Sequence, residues 1–297
     1  MIAPRCHAAA AHRSSAGTRR SFLASLGTAA LATPLLAAED RASRPIPVGL
    51  QMYSVRGEEK RDLLATLRAV RGMGYDCVEF WAPYAAWTPE RAREVRRQLD
   101  DLGLRCHSNH TAAADFAAPA LPRIVELNHI LGSRRVIMAH AGPQPDLDGW
   151  RRTAAVLARA SAALGSEGLS VGYHNWDVDF RPVDGVRPVD ILTGNTPREV
   201  FFELDVATCL AAGADPIAFV RANAGRIRTY HLKDWSSDPQ KQYRVLLGEG
   251  IGRWKELLDV AETVGGVEYY LIEQEGSRFS ELETARRCLE NLQAIRG

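Results

Sequence analysis

Short apolar runs alternate with longer stretches of helical periodicity from about residue 46 to the end of the chain. Most of the runs carry polar residues only at their ends, which is typical of the buried strands of a parallel sheet. They predict eight strands, at residues 48–53, 75–81, 104–107 or slightly beyond, 135–139, 169–174, 200–204, 227–232 and 267–272.

The stretches between the strands place apolar residues at helical spacing, as Leu63, Leu67 and Val70 do. They predict helices at residues 62–72, 89–102, 121–131, 150–164, 216–222, 254–264 and 281–295. Thr88 is a typical N-cap for the second of these helices, and Gly103 is a typical residue to end it. Residues 177–195 contain glycines and prolines at irregular positions, and these predict a loop.

Eight strand–helix alternations over about 250 residues have the size and rhythm of a (β/α)8 TIM barrel, a single α/β domain. The competing architecture is an open doubly wound sheet, which would need a glycine-rich phosphate turn after the first strand. Residues 53–57, with the sequence YSVRG, do not form such a turn. The sequence therefore predicts one barrel domain, at residues 41–297.

The first 40 residues differ from the rest of the chain. Arg19 and Arg20 precede Phe22, an alanine-rich apolar run follows to about Ala38, and the polar pair Glu39–Asp40 comes next. A basic start, a short apolar run and small residues are typical of an export signal, and the paired arginines indicate the twin-arginine type. The run is too short for a membrane-spanning helix. Residues 1–40 are thus predicted to direct export, most simply to the periplasm.

Bulk composition excludes several classes of function. The net charge is +1, with 37 basic and 36 acidic residues, so no general attraction to nucleic acid or to anionic membrane is expected. The five cysteines are too few and too far apart for a disulfide framework or a zinc finger. The expected partner is a small molecule rather than a polymer.

Imidazoles and carboxylates collect where the predicted strands end. In a barrel of this kind the carboxyl ends of all strands meet at one face, where active sites lie. The polar residues at these ends are Glu79, His107, Ser108, Asn109, His110, His140, His174, Asn175, Glu203, Asp205, His231, Lys233, Glu273 and Glu275. One group from each of the last four strands gives His174, Asp205, His231 and Glu273, which would repel one another or lie unsatisfied without a cation. Mixed nitrogen and oxygen donors favour Mn, Zn, Co, Ni or Fe over Mg or Ca.

At this point the residues resemble a known family, the xylose isomerase-like TIM barrels of the sugar phosphate isomerase/epimerase group. The matching pieces run in family order at residues 49–56 (GLQMYSVR), 78–81 (VEFW), 172–175 (GYHN), 204–206 (LDV), 212–216 (AGADP), 225–227 (GRI), 231–234 (HLKD), 247–250 (LGEG) and 272–274 (IEQ). Each piece is weak alone, whereas the series is specific.

The resemblance implies a divalent metal at the barrel mouth, with Asp205, His231 and Glu273 at positions of family ligands. His174 stands where many members have glutamate, and Trp176 replaces the second histidine of a Tyr-His-Asn-His motif found in one branch. Epimerases of the group use two glutamates as acid and base, so His174 puts that particular mechanism in doubt.

The first functional hypothesis is a metal-dependent isomerase, epimerase or lyase that acts on a sugar or keto-sugar through a metal-stabilised enediolate. Catalytic roles are predicted for Glu273, Lys233, His110 and His140, with Glu273 or one of the two histidines as the base. Substrate contacts are predicted for Glu79, Tyr53, Trp81, Trp176 and Trp235. The alternative for Lys233 is a rim ion pair with Asp234 or Glu203, and the alternative for the tryptophans is rim packing.

Export argues against a phosphorylated metabolite and favours a glycoside or its 3-keto derivative, from which the same enolate would allow β-elimination. Two alternatives stay open. One is a phosphodiester hydrolase of the endonuclease-like branch, which would need more metal ligands and a basic groove. The other is a non-catalytic sugar-binding barrel.

Overall fold

Eight parallel strands close into a barrel in the part of the chain that the structure describes. This computed structural model describes residues 45–142 and 144–297, so the predicted export signal at residues 1–40 lies outside the described residues. The strands pair in sequence order, and β8 closes the barrel on β1. They are β1 Val48–Gln51, β2 Cys77–Phe80, β3 Arg105–Thr111, β4 Arg135–Met138, β5 Ser170–His174, β6 Phe201–Asp205, β7 Ile227–Leu232 and β8 Tyr269–Ile272. The predicted (β/α)8 TIM barrel is therefore confirmed.

Helices alternate with these strands. They are α1 Arg56–Arg61, α2 Leu63–Met73, α3 Pro89–Leu102, α4 Leu121–Leu131, α5 Leu147–Gly165, α6 Asp177–Phe180, α7 Pro188–Asn195, α8 Val206–Ala211, α9 Pro216–Ala222, α10 Trp254–Val260 and α11 Glu281–Arg296. Short 3-10 turns lie at Met52–Val55, Ala82–Ala86, Ala113–Phe116 and Gln242–Arg244, and a π turn lies at Ala261–Gly265.

Local sequence signals fix where several helices begin and end. The Thr88 side chain accepts a hydrogen bond from the backbone N–H of Arg91 at 3.2 Å, and Pro89 occupies the first helical position of α3. Gly103 ends the same helix with a φ of 66°, in the left-handed region that favours glycine. Both predicted roles are confirmed.

Three predicted elements differ from the observed ones. The predicted loop at residues 177–195 was wrong, because it contains α6 and α7; Pro188 does not break α7 but starts it. The helix predicted at residues 254–264 keeps α-helical geometry only to Val260 and continues as the π turn. Strand β3 runs on to Thr111, which places His110 within the strand rather than after it.

The barrel interior changes from apolar to polar along the strands. Cys77, Tyr269 and Leu271 pack together towards the amino ends. Gly49 is required beside them, because a Cβ there would lie 2.5 Å from Cys77 Sγ and 2.8 Å from Leu271 Cδ2. Towards the carboxyl ends the buried interior residues include Gln51, Glu79, Ser108, His110, Glu203, Thr229 and His231. Burying so many polar groups costs free energy unless each is paired, so this end of the barrel is where function is expected.

The cysteines and the helices agree with what composition predicts. Cys77, Cys106, Cys209 and Cys288 are buried free thiols, as the cysteine spacing predicts. In residues 45–142 and 144–297, no helix has the length and apolar character needed to cross a membrane.

Candidate active site

The four residues predicted to bind metal converge at the carboxyl end of the barrel. His174, Asp205, His231 and Glu273 each offer one donor atom, and these atoms all lie within 4.8 Å of one another. His231 Nδ1 lies 3.0 Å from Glu273 Oε2, and His174 Nε2 lies 3.7 Å from Asp205 Oδ2. All four side chains are buried. Strands β5 to β8 thus bring two imidazoles and two carboxylates to one point.

The sheet register and a helix cap aim Asp205 at this point. Asp205 pairs with His231 in the β6–β7 register. Its Oδ1 accepts a hydrogen bond from the backbone N–H of Thr208 at 2.8 Å, which caps α8. The Asn175 side chain accepts from the backbone N–H of Asp205 and donates to its carbonyl, at 3.0 and 3.2 Å. These contacts leave Oδ2 directed at His174 and Lys233.

His174 carries an unused buried nitrogen. Its Nδ1 lies 2.9 Å from the carbonyl oxygen of Ala139, which only accepts hydrogen bonds, so Nδ1 carries the proton and donates. Its Nε2 is buried and has no hydrogen-bond partner among the described residues. A buried nitrogen whose tautomer is fixed by a backbone carbonyl is the arrangement usual for a metal-binding histidine. The residues present therefore fit a divalent cation.

A second layer of charge lies directly beneath the donor atoms. His110 Nε2 contacts Glu203 Oε2 and lies 3.2 Å from Glu79 Oε1. His231 Nε2 lies 3.0 Å from the same Glu79 oxygen and 3.2 Å from Glu203 Oε2. Two imidazole nitrogens and two carboxylate oxygens therefore alternate in a closed ring. His231 links this ring to the donor group through its other nitrogen.

The carboxylates of the ring raise the pKa of both histidines. Burial alone would lower the pKa of His110, but the facing carboxylates of Glu79 and Glu203 outweigh it and raise that pKa above its ordinary value. Burial likewise opposes the charge on His231, yet Glu203 and Glu273 raise its pKa well above the ordinary value. For Glu203, burial alone would raise the pKa, but His231 and His110 outweigh it and lower the pKa of the carboxyl.

Lys233 places a positive charge at the edge of the donor group. Its Nζ contacts the Glu275 carboxylate and lies 3.9 Å from Asp205 Oδ2 and 3.8 Å from Glu273 Oε2. Burial opposes this charge, but Glu273, Asp205 and Glu275 raise the pKa of Lys233 above its ordinary value. The expected rim ion pair is thus made with Glu275 and not with Asp234 or Glu203.

A cavity of about 560 Å³ opens above these residues. That volume is within the range of sites that enclose small organic ligands. Residues with predicted roles that line it are Tyr53, Trp81, His110, His140, His174, Trp176, Asp205, Lys233 and Glu273. Tyr53 and Trp81 meet edge to face at 5.1 Å on one side, and His140 and Trp176 lie 4.8 Å apart, centroid to centroid, in the second pair. The wall is aromatic and the floor is charged.

A profile of the family described as xylose isomerase-like TIM barrel matches residues 67–295. The chain belongs to the xylose isomerase-like TIM barrel family. A comparison with curated protein sequences finds no match.

Several solved structures that share this barrel fold align with most of the chain. A sugar phosphate isomerase/epimerase from Parabacteroides distasonis has a TM-score of 0.71 at 20% identity and covers 85% of this chain and 96% of its own. The probable 3-DHS dehydratase from Bacillus anthracis has a TM-score of 0.63 at 14% identity, with 84% and 99% covered. An AP endonuclease, family 2, from Brucella melitensis has a TM-score of 0.63 at 16% identity, with 81% and 96% covered. At such identities the likeness shows the shared fold alone.

Within this xylose isomerase-like barrel, two predicted substrate contacts lie away from the cavity wall. Glu79 is fully buried below the floor, where Gln51, Ser108 and His231 contact its carboxylate. Trp235 is not among the residues that line the described cavity, and its backbone carbonyl accepts from the N–H of Ile251 at 2.8 Å. Glu79 therefore contacts the metal-ligand candidate His231 directly.

Sequence reasoning missed Tyr243, which lines the cavity and lies over Lys233 with 5.2 Å between Nζ and the ring centroid. It follows Gln242, whose φ of 44° is unusual for a residue other than glycine. The Gln274 side chain, next to Glu273, donates to the carbonyls of Tyr243 and Val245. The positive φ can be read from no sequence pattern, whereas the IEQ motif at residues 272–274 was a usable signal.

The buried side chain of Asp234 connects two of the family motifs, at residues 231–234 (HLKD) and 247–250 (LGEG). Asp234 Oδ2 accepts from the backbone N–H groups of Gly248 and Gly250, at 2.9 and 3.0 Å, and from Trp254 Nε1 at 2.7 Å. A Cβ at residue 250 would lie 2.2 Å from Asp234 Oδ1. Asp234 thus anchors the loop after β7 and fixes the strand end that carries Lys233.

Proposed function

We propose that this protein is a divalent-metal-dependent enzyme that isomerises, epimerises or cleaves a sugar or keto-sugar by removing a proton next to a carbonyl. The observation that carries the proposal is the convergence of four buried donor atoms, one of which, His174 Nε2, has no protein partner among the described residues. Solved structures of the same fold, a sugar phosphate isomerase/epimerase among them, favour the same chemistry.

The residues that would hold the cation are His174, Asp205, His231 and Glu273. Two nitrogens and two oxygens suit Mn, Fe, Co, Ni or Zn better than Mg. When bound, the cation would supply Lewis-acid polarisation of a substrate carbonyl oxygen.

His110 is the base that this geometry supports best. Glu273 would be occupied as a ligand, and Lys233 keeps its proton because three carboxylates surround it. His110 lines the cavity while its Nε2 is anchored by Glu203 and Glu79. Its Nδ1 is therefore the ring atom available to a substrate, and the two carboxylates stabilise the imidazolium that forms when it takes a proton.

Lys233 is suited to neutralise negative charge that develops on substrate oxygen. Its ammonium lies at the cavity edge, and the side chain is only 3% exposed. In such a dry position a fixed positive charge acts more strongly than in water. Glu275 and the ring of Tyr243 hold it there.

Cleavage by β-elimination fits the floor better than two-glutamate epimerisation does. Epimerisation at one carbon by that route needs a carboxylate on each side of the substrate. In this chain His174 stands at the β5 position, with one nitrogen bound to Ala139 and the other facing Asp205. The predicted export favours a glycoside or its 3-keto derivative as substrate, with one base and one cation acting on the same ring.

The acidic floor argues against the phosphodiester hydrolase. Among the described residues that line the cavity, Asp177, Asp205, Glu273 and Glu275 are acidic, and Lys233 is the one lysine or arginine. A groove for a polyanion needs the opposite balance. The non-catalytic alternative predicts sugar binding that survives loss of the metal.

Elemental analysis of the purified protein tests the cation site. We expect about one equivalent of a transition metal in the wild type and its loss in His174→Ala, because His174 Nε2 is the candidate donor atom that has no hydrogen-bond partner among the described residues. His129→Ala is the matched control, since His129 is an exposed histidine on α4, away from the cavity. Equal metal content in all three proteins would overturn the proposal.

Substrate screening then separates the reactions. The metal-loaded enzyme is offered 3-keto-glycosides and simple ketoses, with release of the aglycone and change at the sugar carbon as separate readouts. Aglycone release supports elimination, and a stereochemical change without release supports epimerisation. The non-catalytic alternative would be supported by two results together: the metal-free protein binds the sugar, and the metal-loaded protein turns over neither class of compound.

A further inference from the structure

One short segment after β4 contacts two histidines of the site through its backbone. The carbonyl oxygen of Ala139 accepts a hydrogen bond from His174 Nδ1 at 2.9 Å. Three residues on, the backbone N–H of Gly142 donates to His140 Nδ1 at 3.1 Å. A carbonyl only accepts and an amide N–H only donates, so the two contacts impose opposite states on the two rings.

His140 therefore carries its proton on Nε2. Its Nδ1 must offer a lone pair to Gly142, and a proton placed there would oppose the amide hydrogen. Gly142 has a φ of 75°, in the region that favours glycine. His174, with its proton on Nδ1, presents a lone pair at Nε2 instead. The same segment thus leaves His174 with a lone pair that can bind a metal and His140 with an N–H group that can donate a hydrogen bond.

The surroundings of His140 suit a donor and not a base. His140 is exposed at the cavity mouth, but partial desolvation and the nearby rings of His174 and His110 lower its pKa, which favours the neutral ring. The ring lies against Trp176, with centroids 4.8 Å apart and planes tilted by 43°. Trp176 is 47% exposed and lines the same cavity. An apolar face beside an N–H group matches a sugar, whose C–H face packs on an aromatic ring while its oxygens accept hydrogen bonds.

We propose that His140 is a substrate-orienting residue of fixed tautomer that donates from Nε2 to a neutral oxygen of the sugar, while Trp176 packs against the same sugar. This inference rests on the proposed function for the identity of the ligand, but the tautomer itself does not. It assigns His140 a role other than the base, which leaves proton removal to His110.

Nitrogen NMR of the metal-loaded full chain, with histidine labelled in both ring nitrogens, tests the tautomer directly. Comparison with the His140→Gln spectrum assigns the His140 signals. We expect Nδ1 to be unprotonated and Nε2 protonated above neutral pH. A protonated Nδ1, or a proton that exchanges between the nitrogens, would overturn the proposal whether or not the protein is active.

A pair of amide variants tests the donor role. Glutamine places its amide nitrogen near the position of imidazole Nε2, whereas asparagine places it near Nδ1. With a turned-over keto-glycoside, we expect His140→Asn to raise KM about 10-fold, the loss of one neutral hydrogen bond, and His140→Gln to stay within about 3-fold of wild type. His129→Gln is the control, and metal content stays constant throughout. Equal effects of the two variants, or a changed pH profile of kcat, would show that His140 does something else.

Discussion

Strands β5–β8 and strands β1–β4 bring different kinds of polar group to the same mouth. The second half supplies His174, Asp205, His231 and Glu273, and the first half supplies Gln51, Glu79, Ser108 and His110. Glu79 is satisfied by the protein itself, since an amide, a hydroxyl and two imidazoles contact its oxygens. Asp205 Oδ2, by contrast, reaches His174 and Lys233 only at 3.7 and 3.9 Å.

Under the proposed function, this is the difference expected between a supporting carboxylate and a metal ligand. A carboxylate whose lone pairs are already used within the protein has little left for a cation, whereas one left short of partners gains most from it. We therefore expect the second half to bind the cation. The first half would hold the metal-binding side chains in position and in the required protonation state.

The largest effect is expected from His231→Ala, because His231 lies on β7 and contacts both Glu79 of the first half and Glu273 of the second. Its removal leaves Glu79, Glu203 and Glu273 buried without their shared partner, and breaking such a pair costs about 3–5 kcal/mol. We expect a fall of this size in the free energy of unfolding, measured in urea, together with loss of bound metal and activity.

His129→Ala is again the matched control, with no measurable effect expected from the exposed ring. If His231→Ala kept the stability and metal content of the wild type, the proposed division between a supporting half and a metal-binding half would be contradicted. Neither half would then depend on this imidazole.

His110→Ala should affect the chemistry and leave the donor group intact. We expect turnover to fall by about 10²–10⁴-fold, the usual contribution of a general base, with unchanged metal content. Steady-state kinetics and elemental analysis on the same preparation check this. Loss of metal in step with activity would move His110 from the supporting half to the donor group.

The sequence was sufficient for the barrel and for the convergence of the four candidate donor residues, because both follow from periodicity and from the meeting of strand ends at one face. Depth was harder to predict. Glu79 was placed at the substrate wall, yet it lies below the floor, because strand ends read from sequence are uncertain by the residue or two that separates wall from interior. Tyr243 depends on the unusual φ of Gln242 and on the distant side chain of Gln274, neither of which leaves a local pattern.

A further effect, confined to one pH range, is expected at Asp179, which is as buried as Asp205, at 1% exposure, but has no ion-pair partner among the described residues. Burial raises its pKa to about 7, although hydrogen bonds from Trp176 N–H and Tyr173 Oη act in the opposite direction. The unfolded chain has the ordinary value of about 3.9. The stabilisation from this proton is therefore complete below about pH 4 and is lost as the pH rises to about 7, a change on the order of 4 kcal/mol.

Asp179→Asn cannot lose that proton, so we expect it to match the wild type near pH 4 and to be more stable at pH 8. Urea unfolding at a series of pH values measures the difference, with the exposed Asp148→Asn as control. Parallel curves for wild type and Asp179→Asn would contradict the prediction. A flattened curve for Asp179→Asn would mean that the pH dependence of the wild type comes from the proton on Asp179.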